Sequence, residues 1–453
     1  MGPKTVTHAA LAAGALGFAA LVGLPRDTSA YALLGGSLAL DQRDVRVFDN
    51  FSDPEAHTNT QPDPDYPGAL GPTLCIWKAA VEWGSRLHGT GLGDPLNPDG
   101  LGSGGADFDF CWQGQASGVG GPDDNIVSEL VGSSGGVFAF CESPISDGWR
   151  IRFYSDAAVW HDAPGAPPNG PDDADIQGVA THELGHALGL AHSNVADATM
   201  FGALIGNGVA MRSLASDDQD GLHALYGAAS AGKPSVTALF VPDPATLIVA
   251  GTNFAPTGNE LWFTDGSPGA NGDPLVLGGL AADPSGTRIS CTPPANAVAG
   301  DILVHVPGTA GATLSNAFPF VPGQPSCPPI QNYGTPKTTS QGTLPTLHWS
   351  GRATLTTNDL SIGTDGAIPG AQSVLFTGSL PQNLPFQGGT LYVAGPLRRY
   401  PPRTVDFFGS VQYPIPITPA MVGTRRYFQL WFADSGDPFG SGLSDGLRLY
   451  FCP

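Results

Sequence analysis

The sequence predicts an α+β domain, a twisted sheet with three helices, followed by two all-β, sandwich-like domains. Its 453 residues are enough for two to four separate cores. Glycine (63 residues) and proline (43) are abundant, whereas charged residues make up only 13% of the chain, and this composition favours turns and strands over long helices. Helical spacing of apolar residues is found only before Gly227, and alternating strand patterns follow it.

Residues 1–30 have the pattern of a secretory signal peptide. Lys4 gives a positive start, Ala9–Leu24 is an apolar run, and small residues around Ala30 offer a cleavage site. An uncleaved membrane anchor is the alternative, but a run of about 16 residues is short for one. No later span is apolar enough to cross a membrane. We therefore expect a secreted, extracellular chain with no membrane span once the signal is removed.

Six cysteines in an exported protein predict disulfides. Cys327 and Cys452 lie at the two ends of the last predicted domain, and we expect them to be linked because the termini of a sandwich often come close together. Closing such a loop of about 125 residues would stabilise the fold by roughly 4 to 5 kcal/mol. The pairing of the other four stays open: Cys75, Cys111, Cys141 and Cys291.

The formal charge of −21 comes mostly from aspartate, since only six of the 40 acidic residues are glutamate. Nucleic acid and anionic membrane surfaces carry negative charge themselves. The charge therefore argues against both as partners.

The first predicted domain, residues 31–228, begins with alternating residues at 45–48, which indicate a strand. A helix is indicated by the spacing of Ile76, Ala80, Trp83 and Leu87. The Gly/Asp/Pro stretch from Gly89 to Asp107 is predicted to be a solvated loop, with a calcium-binding loop as the alternative. Three further strands follow: Ile126–Leu130, Val137–Cys141 and Trp149–Tyr154.

The segment THELGHALGLAHS, residues 181–193, carries the predicted chemistry. On a helix, His182 and His186 are four residues apart, so both imidazoles leave the same face at the spacing that one metal ion needs. Glu183 is offset by about 100° around the helix, which keeps its carboxylate off the metal and near the water that the ion would activate. A left-handed Gly189 would reverse the chain and bring His192 back as a third ligand.

HExxHxxGxxH followed by a methionine resembles the metzincin signature, and the segment is most similar to the matrixin branch. Ser193 follows the third histidine as in matrixins, and Met200 stands where the family places the methionine beneath the metal ligands. Gly202 replaces the zinc-binding tyrosine of other branches. Residues 213–227 resemble the closing helix, with Asp217 and Asp218 at its start. The resemblance implies a metzincin-like catalytic domain with one catalytic Zn²⁺ on His182, His186 and His192, and Glu183 as general base.

The segment GGVFAFCESP, residues 135–144, resembles the matrixin edge strand beside the cleft. In that family an extended substrate adds to this strand through backbone hydrogen bonds, which implies a substrate-binding role for Phe138, Ala139 and Phe140. The family's ligands for a second, structural zinc are replaced here by Phe140 and Phe153, and the glutamate of a calcium site is replaced by Ala158. Calcium therefore stays unassigned. The acidic loop at residues 172–175 is open to calcium or to a purely structural role at the helix start.

After a predicted linker at residues 229–233, the sequence changes to strands separated by Gly/Pro/Asn turns. Residues 234–322 resemble an IPT/TIG immunoglobulin-like module, through LIVAGTNFAP, LWF, ISCTPP and a closing FPFV in that order; any seven-strand sandwich is the alternative. Residues 327–453 form a further β-sandwich-like domain that resembles C-terminal domains of secreted bacterial proteins.

Together these patterns predict a secreted zinc-dependent endopeptidase. It would hydrolyse peptide bonds of a protein or peptide substrate by a zinc-activated water, with Glu183 as base. The alternative is an extracellular binding or surface protein whose β modules carry the function beside a weak or inactive protease domain. Binding of a surface or matrix component by the β modules is compatible with either function.

Overall fold

The computed structural model describes residues 30–89, 96, 100–142, 148–162, 164–168, 170–243, 245–324, 330–355, 358–422 and 424–451. Nearly all of the predicted signal segment lies outside the described residues, as does the predicted Cys327–Cys452 disulfide, and both stay predictions. None of the helices in the described ranges has the length and apolar character needed to cross a membrane.

The chain divides into two compact units, each with its own interior. The first comprises residues 1–239 and 243–326, and the second comprises residues 240–242 and 327–453. The predicted boundary at residues 229–233 falls inside the first unit.

The start of the first unit, up to residue 228, contains three α-helices among its described residues: α1 (Gly71–Glu82), α2 (Ile176–Leu188) and α3 (Ser216–Tyr226). Its strands are β1 (Ala32–Leu33), β2 (Asp44–Phe48), β3 (Cys111–Gln115), β4 (Ile126–Leu130), β5 (Ala139–Glu142), β6 (Arg150–Tyr154), β7 (Val159–His161), β8 (Asp173–Asp175) and β9 (Leu190–Ala191).

Five of these strands form one sheet in the order β3-β2-β4-β6-β5. All neighbours are parallel except β5, which runs antiparallel to β6 at the edge. The helices and this sheet share one hydrophobic core, in which α1 and α2 pack on each other.

Helix α1 is shorter than its apolar spacing predicts. Trp83 is its C-cap residue, and the Gly84 amide donates to the carbonyl of Val81 as the chain turns away. Leu87 therefore lies beyond the helix and is exposed. The apolar spacing in the sequence continues past Gly84, but the backbone leaves the helical path at this glycine.

Among the described residues, seven strands follow residue 228 and lie mainly in the first unit: β10 (Ser235–Asp243), β11 (Thr246–Thr252), β12 (Asn259–Asp265), β13 (Leu275–Leu280), β14 (Arg288–Cys291), β15 (Ala297–His305) and β16 (Phe318–Phe320). They form one sheet in the order β10-β11-β14 and a second in the order β13-β12-β15-β16. The second sheet lies against β3. Thr264 on β12 donates to the carbonyl of Trp112 at 2.7 Å, and Cys111 packs with Trp262 and Leu303.

Polar groups also cross this boundary in buried positions. Asp301 on β15 accepts from the Trp77 indole at 3.0 Å and contacts the His88 ring at 2.7 Å. Lys233 is paired with Asp109 at 3.1 Å. Since a buried charge without a partner destabilises a fold, these pairs tie the two parts of the unit together.

The described residues of the second unit form eleven further strands: β17 (Gln331–Tyr333), β18 (Thr346–Ser350), β19 (Ser361–Asp365), β20 (Gln372–Gly378), β21 (Leu380–Phe386), β22 (Gly389–Ala394), β23 (Arg398–Arg399), β24 (Arg403–Thr404), β25 (Val411–Pro414), β26 (Arg425–Ala433) and β27 (Ser441–Tyr450). One sheet has the order β17-β27-β26-β20-β23, with β24 also paired to β20, and another has the order β18-β19-β25. Side chains of both sheets form a common core, while β21 and β22 make a separate hairpin.

Candidate metal centre

Helix α2 begins and ends at residues whose conformation the sequence specifies. Asp175 is the N-cap, and its carboxylate accepts from the Gly178 amide at 2.7 Å. Gly189 ends the helix with φ 106°, in the left-handed region that favours glycine. A Cβ there would also fall 2.2 Å from the carbonyl oxygen of Gly36. Glycine is therefore required at this position by conformation and by space.

The turn after Gly189 brings the three predicted histidines together. His182, His186 and His192 each offer a ring nitrogen, and these atoms lie within 4.8 Å of one another. The ring centroids are 4.8 to 5.3 Å apart. A single ion with Zn–N bonds of about 2.1 Å fits a cluster of this size after small adjustments.

Backbone carbonyls orient two of the three rings. The Nδ1–H of His182 donates to the carbonyl of Thr199 at 2.6 Å, and the Nδ1–H of His186 donates to the carbonyl of Leu190 at 2.7 Å. Each bond leaves the Nε2 lone pair directed into the cluster. The Nε2 atoms of all three histidines are buried and find no hydrogen-bond partner within the described ranges.

The protonation preferences of the histidines suit metal binding. Burial lowers the pKa of His182 well below its ordinary value, and the neighbouring His186 ring adds to the effect. Burial likewise lowers the pKa of His186 to about 4 and lowers that of His192. The rings are therefore neutral at pH 7, which is the form that binds a metal. The donor set fits zinc.

Glu183 lies on α2 beside the histidine cluster and is fully buried. Burial raises its pKa well above the ordinary value, and the nearby backbone of Cys141 on β5 offsets part of this shift. Both carboxylate oxygens lack a hydrogen-bond partner in the described structure. A buried carboxylate that makes no structural bond is available for proton transfer.

Met200 packs beneath the cluster. A Cβ on Gly185 would fall 2.2 Å from the Met200 sulfur, so the thioether fills the space that this glycine leaves on α2. Gly202 similarly permits close approach of His192, because a Cβ there would fall 2.9 Å from the ring. Gly202 stands where other metzincin branches have a zinc-binding tyrosine, and here it leaves room for the ring of His192.

The turn that contains Met200 is held by the carboxylate of Asp218, a role that the sequence did not indicate. Asp218 on α3 accepts from the amides of Thr199, Met200 and Ala215 at 2.8 to 2.9 Å. Since the Thr199 carbonyl orients His182, Asp218 acts on the cluster through the turn. The sequence indicated only that Asp218 lies at the start of a helix, where a negative charge interacts favourably with the helix dipole.

The acidic loop before α2 has protein partners for two of its three carboxylates. Asp173 contacts the His161 ring at 2.8 Å and accepts from the Gly170 amide. Asp175 forms a bidentate ion pair with Arg212, with distances of 2.8 and 2.6 Å, and both side chains are fully buried. These partners favour the structural role of the loop. Calcium stays unassigned.

The predicted edge strand occupies the outer position of the sheet, where β5 pairs with β6 and with no other strand that the structure describes. Ala139 and Phe140 lie on β5, and Phe138 directly precedes it, its carbonyl accepting from the Tyr154 amide. Phe140 is paired across the strands with Arg152, and Phe153 is buried in the core. Neither phenylalanine can bind a metal.

The four described cysteines are free thiols: Cys75, Cys111, Cys141 and Cys291. Burial raises the pKa of each. In apolar surroundings such thiols behave as small hydrophobic side chains.

Residues 111–227 match the family model described as Matrixin. The chain is 53% identical over 53 residues to Metalloendoproteinase 5-MMP of Arabidopsis thaliana, covering 12% of this chain and 14% of that protein. It is 40% identical over 77 residues to Stromelysin-2 of Rattus norvegicus, with 17% and 15% covered, and 55% identical over 49 residues to Matrix metalloproteinase-2 of Drosophila melanogaster, with 11% and 6% covered. The chain thus spans 15% or less of the length of each of these relatives. The comparisons support a matrixin-like metalloprotease domain in the first unit.

Among solved structures, a tetra-tandem repeat in the extending region of a large adhesion protein aligns with 48% of this chain and 49% of that chain at 11% identity. The TM-score is 0.17, which is too low to indicate a shared fold.

Proposed function

We propose that the protein is a secreted zinc endopeptidase with its active site at His182, His186, His192 and Glu183. The observation that carries this proposal is the convergence of three buried Nε2 atoms that have no protein partner among the described residues. A buried polar atom without a partner is unfavourable, and a neutral imidazole nitrogen is a preferred zinc ligand. The match of residues 111–227 to the Matrixin model supports the same assignment.

A zinc ion held by three imidazoles would supply a Lewis acid and lower the pKa of the attacking water. Glu183 would accept the proton from that water and pass it to the leaving amine. Burial raises the pKa of Glu183, which favours its acceptance of that proton. The carbonyls of Thr199 and Leu190 would keep two imidazoles in the tautomer that binds the ion.

We further propose that a peptide substrate binds in extended form along β5, with backbone hydrogen bonds beside Phe138, Ala139 and Phe140. The edge position of β5 supports this, because a strand paired on one side only can accept another. The proposed domains follow the predicted boundaries: the protease at 31–228, the IPT/TIG-like module at 234–322 and the C-terminal β domain at 327–453. Residues 1–30 would direct export and then be removed, which N-terminal sequencing of the mature protein tests.

The test of the mechanism is Glu183→Gln in the full chain. We expect peptide hydrolysis to fall at least a hundredfold, the usual contribution of a general base, while elemental analysis still finds zinc bound. Glu55→Gln is the matched control, since Glu55 is an exposed glutamate in the short 3-10 helix at Pro54–His57. It should hydrolyse peptide at the wild-type rate.

His186→Ala completes the test, because it should lose zinc and activity together. Near-normal hydrolysis by Glu183→Gln would overturn the role of Glu183. A wild-type protein that binds zinc but cleaves no member of a peptide library would instead favour the alternative, a binding or surface protein.

A further inference from the structure

The second unit has an apolar patch on the sheet face that points away from its core. Along β20 and β26, Leu375 and Leu430 are paired and belong to the core of the unit. Residues alternate between the two faces of a strand, so Val374 and its partner Trp431 lie on the opposite face. Phe376 lies on that face too, beside its partner Arg399 on β23. A sheet face that points away from the core of its unit is ordinarily polar, and this one is not.

The hairpin of β21 and β22 covers the patch without filling the space above it. It is held to β26 by Gln429, which accepts from the Tyr392 amide and donates to the carbonyl of Thr390. The Trp431 indole donates to Gln387 in the turn of the hairpin at 3.0 Å. Between hairpin and sheet lies a cavity of about 430 Å³, a size typical of pockets for small ligands.

The lining of this cavity is apolar with one exception. Its side chains come from both layers: Val374, Phe376, Phe386, Leu391, Leu397, Arg399 and Trp431. Arg399 is the only charged group among them. Its guanidinium makes no ion pair and no side-chain hydrogen bond with any residue that the structure describes.

The charge of this region differs from that of the rest of the chain. Residues 327–453 contain eight Lys and Arg against six Asp, a net of +2, whereas the whole chain carries −21. Residues 1–326 therefore carry −23. A small anion would be repelled by the first part of the chain and tolerated by the last.

We propose that the cavity binds a small aliphatic monocarboxylic acid, with its hydrocarbon chain between the hairpin and the sheet and its carboxylate on Arg399. Guanidinium and carboxylate match in a planar, bidentate arrangement. A single arginine balances a single negative charge, which favours a monocarboxylate over a phosphate dianion. The apolar walls account for the hydrocarbon chain of the ligand, because displacing water from them is favourable in free energy.

Calorimetric titration of the full-length protein with octanoate tests the proposal, with 1-octanol as the uncharged ligand of equal chain length. We expect octanoate to saturate one site per chain and to bind more tightly than 1-octanol. In Arg399→Gln the affinity for octanoate should fall about tenfold to a hundredfold, the usual worth of one charge-assisted hydrogen-bonded contact, and the affinity for 1-octanol should not change.

Two further variants separate the pocket from general effects of charge and folding. Arg425→Gln removes an exposed arginine of β26 that does not line the cavity, and it should bind octanoate like the wild type. Val374→Phe fills the cavity and should abolish binding of both ligands. Peptide hydrolysis should be unchanged in all three variants, so the outcome is independent of the proposed peptidase function. Failure of octanoate to saturate a site, or equal affinity in the wild type and Arg399→Gln, would overturn the proposal.

Discussion

Removal of the buried Arg212 guanidinium should destabilise the first unit strongly. Arg212 pairs with Asp175 through two contacts of 2.8 and 2.6 Å and also donates to the carbonyls of Pro164 and Gly165. Both charged side chains are inaccessible to solvent. Arg212→Met keeps most of the apolar stem but leaves the Asp175 carboxylate buried with no cation. Loss of one partner from a buried pair costs about 3 to 5 kcal/mol.

The assay is urea unfolding of the zinc-saturated protein, followed by tryptophan fluorescence. With a slope of about 3 kcal/mol per molar urea, the loss predicts a fall in the midpoint of about 1 to 1.7 M. The double variant Arg212→Met/Asp175→Asn should recover most of this loss. Asparagine removes the unpaired charge, and it still caps α2 by accepting from the Gly178 amide.

A midpoint within about 0.3 M of the wild type, which corresponds to roughly 1 kcal/mol, would refute the reasoning. So would a double variant that is no more stable than Arg212→Met, because the loss would then not come from the stranded carboxylate. The expected rescue is a coupling between two residues in direct contact, which a double-mutant cycle measures.

Two further outcomes are expected. Elemental analysis of the mature protein should find about one zinc per chain, as a single three-histidine site requires, and two tightly held ions would mean that Phe140 and Phe153 do not replace the family's second set of ligands. Burial opposes protonation of His88, but the adjoining Asp301 carboxylate prevails and raises the His88 pKa above its ordinary 6.5. The stabilising contribution is therefore fully present below pH 6.5 and is lost as pH rises through the folded pKa. Urea midpoints from pH 6 to 9 should fall more steeply for the wild type than for His88→Asn, and parallel curves would contradict this assignment.

The part of the site that the sequence predicts best is the part built by one continuous segment. The four-residue spacing of His182 and His186 and the turn at Gly189 are local properties of a helix and its C-cap, so thirteen consecutive residues specify them. Gly185 could have been recognised in the same way. A glycine in a helix interior is unfavourable unless something packs against it, and here that is the Met200 sulfur.

Contacts between distant segments could not be predicted from these patterns. Asp175 and Arg212 are 37 positions apart, and the sequence offers two other carboxylates in the same loop, Asp172 and Asp173, that Arg212 could have reached. Asp218 presents the same difficulty. Its place at the start of a helix is visible in the sequence, but its hydrogen bonds to the amides of Thr199 and Met200 are not. Which charges meet is decided by tertiary packing.

The contact between the helical part of the first unit, up to residue 228, and the β strands that follow it bears directly on the candidate metal centre. Asp301 on β15 accepts a hydrogen bond from the indole of Trp77 on α1. The indole of Trp83, the C-cap residue of α1, donates to the Thr181 carbonyl on α2 at 3.0 Å. Thr181 directly precedes the first histidine of the cluster. A continuous path of buried hydrogen bonds and packed helices therefore runs from the β strands to the histidines. Without the strands after residue 234, the Trp77 indole and the His88 ring would lose their partner Asp301. These strands therefore contribute to the scaffold of the site as well as lying beside it.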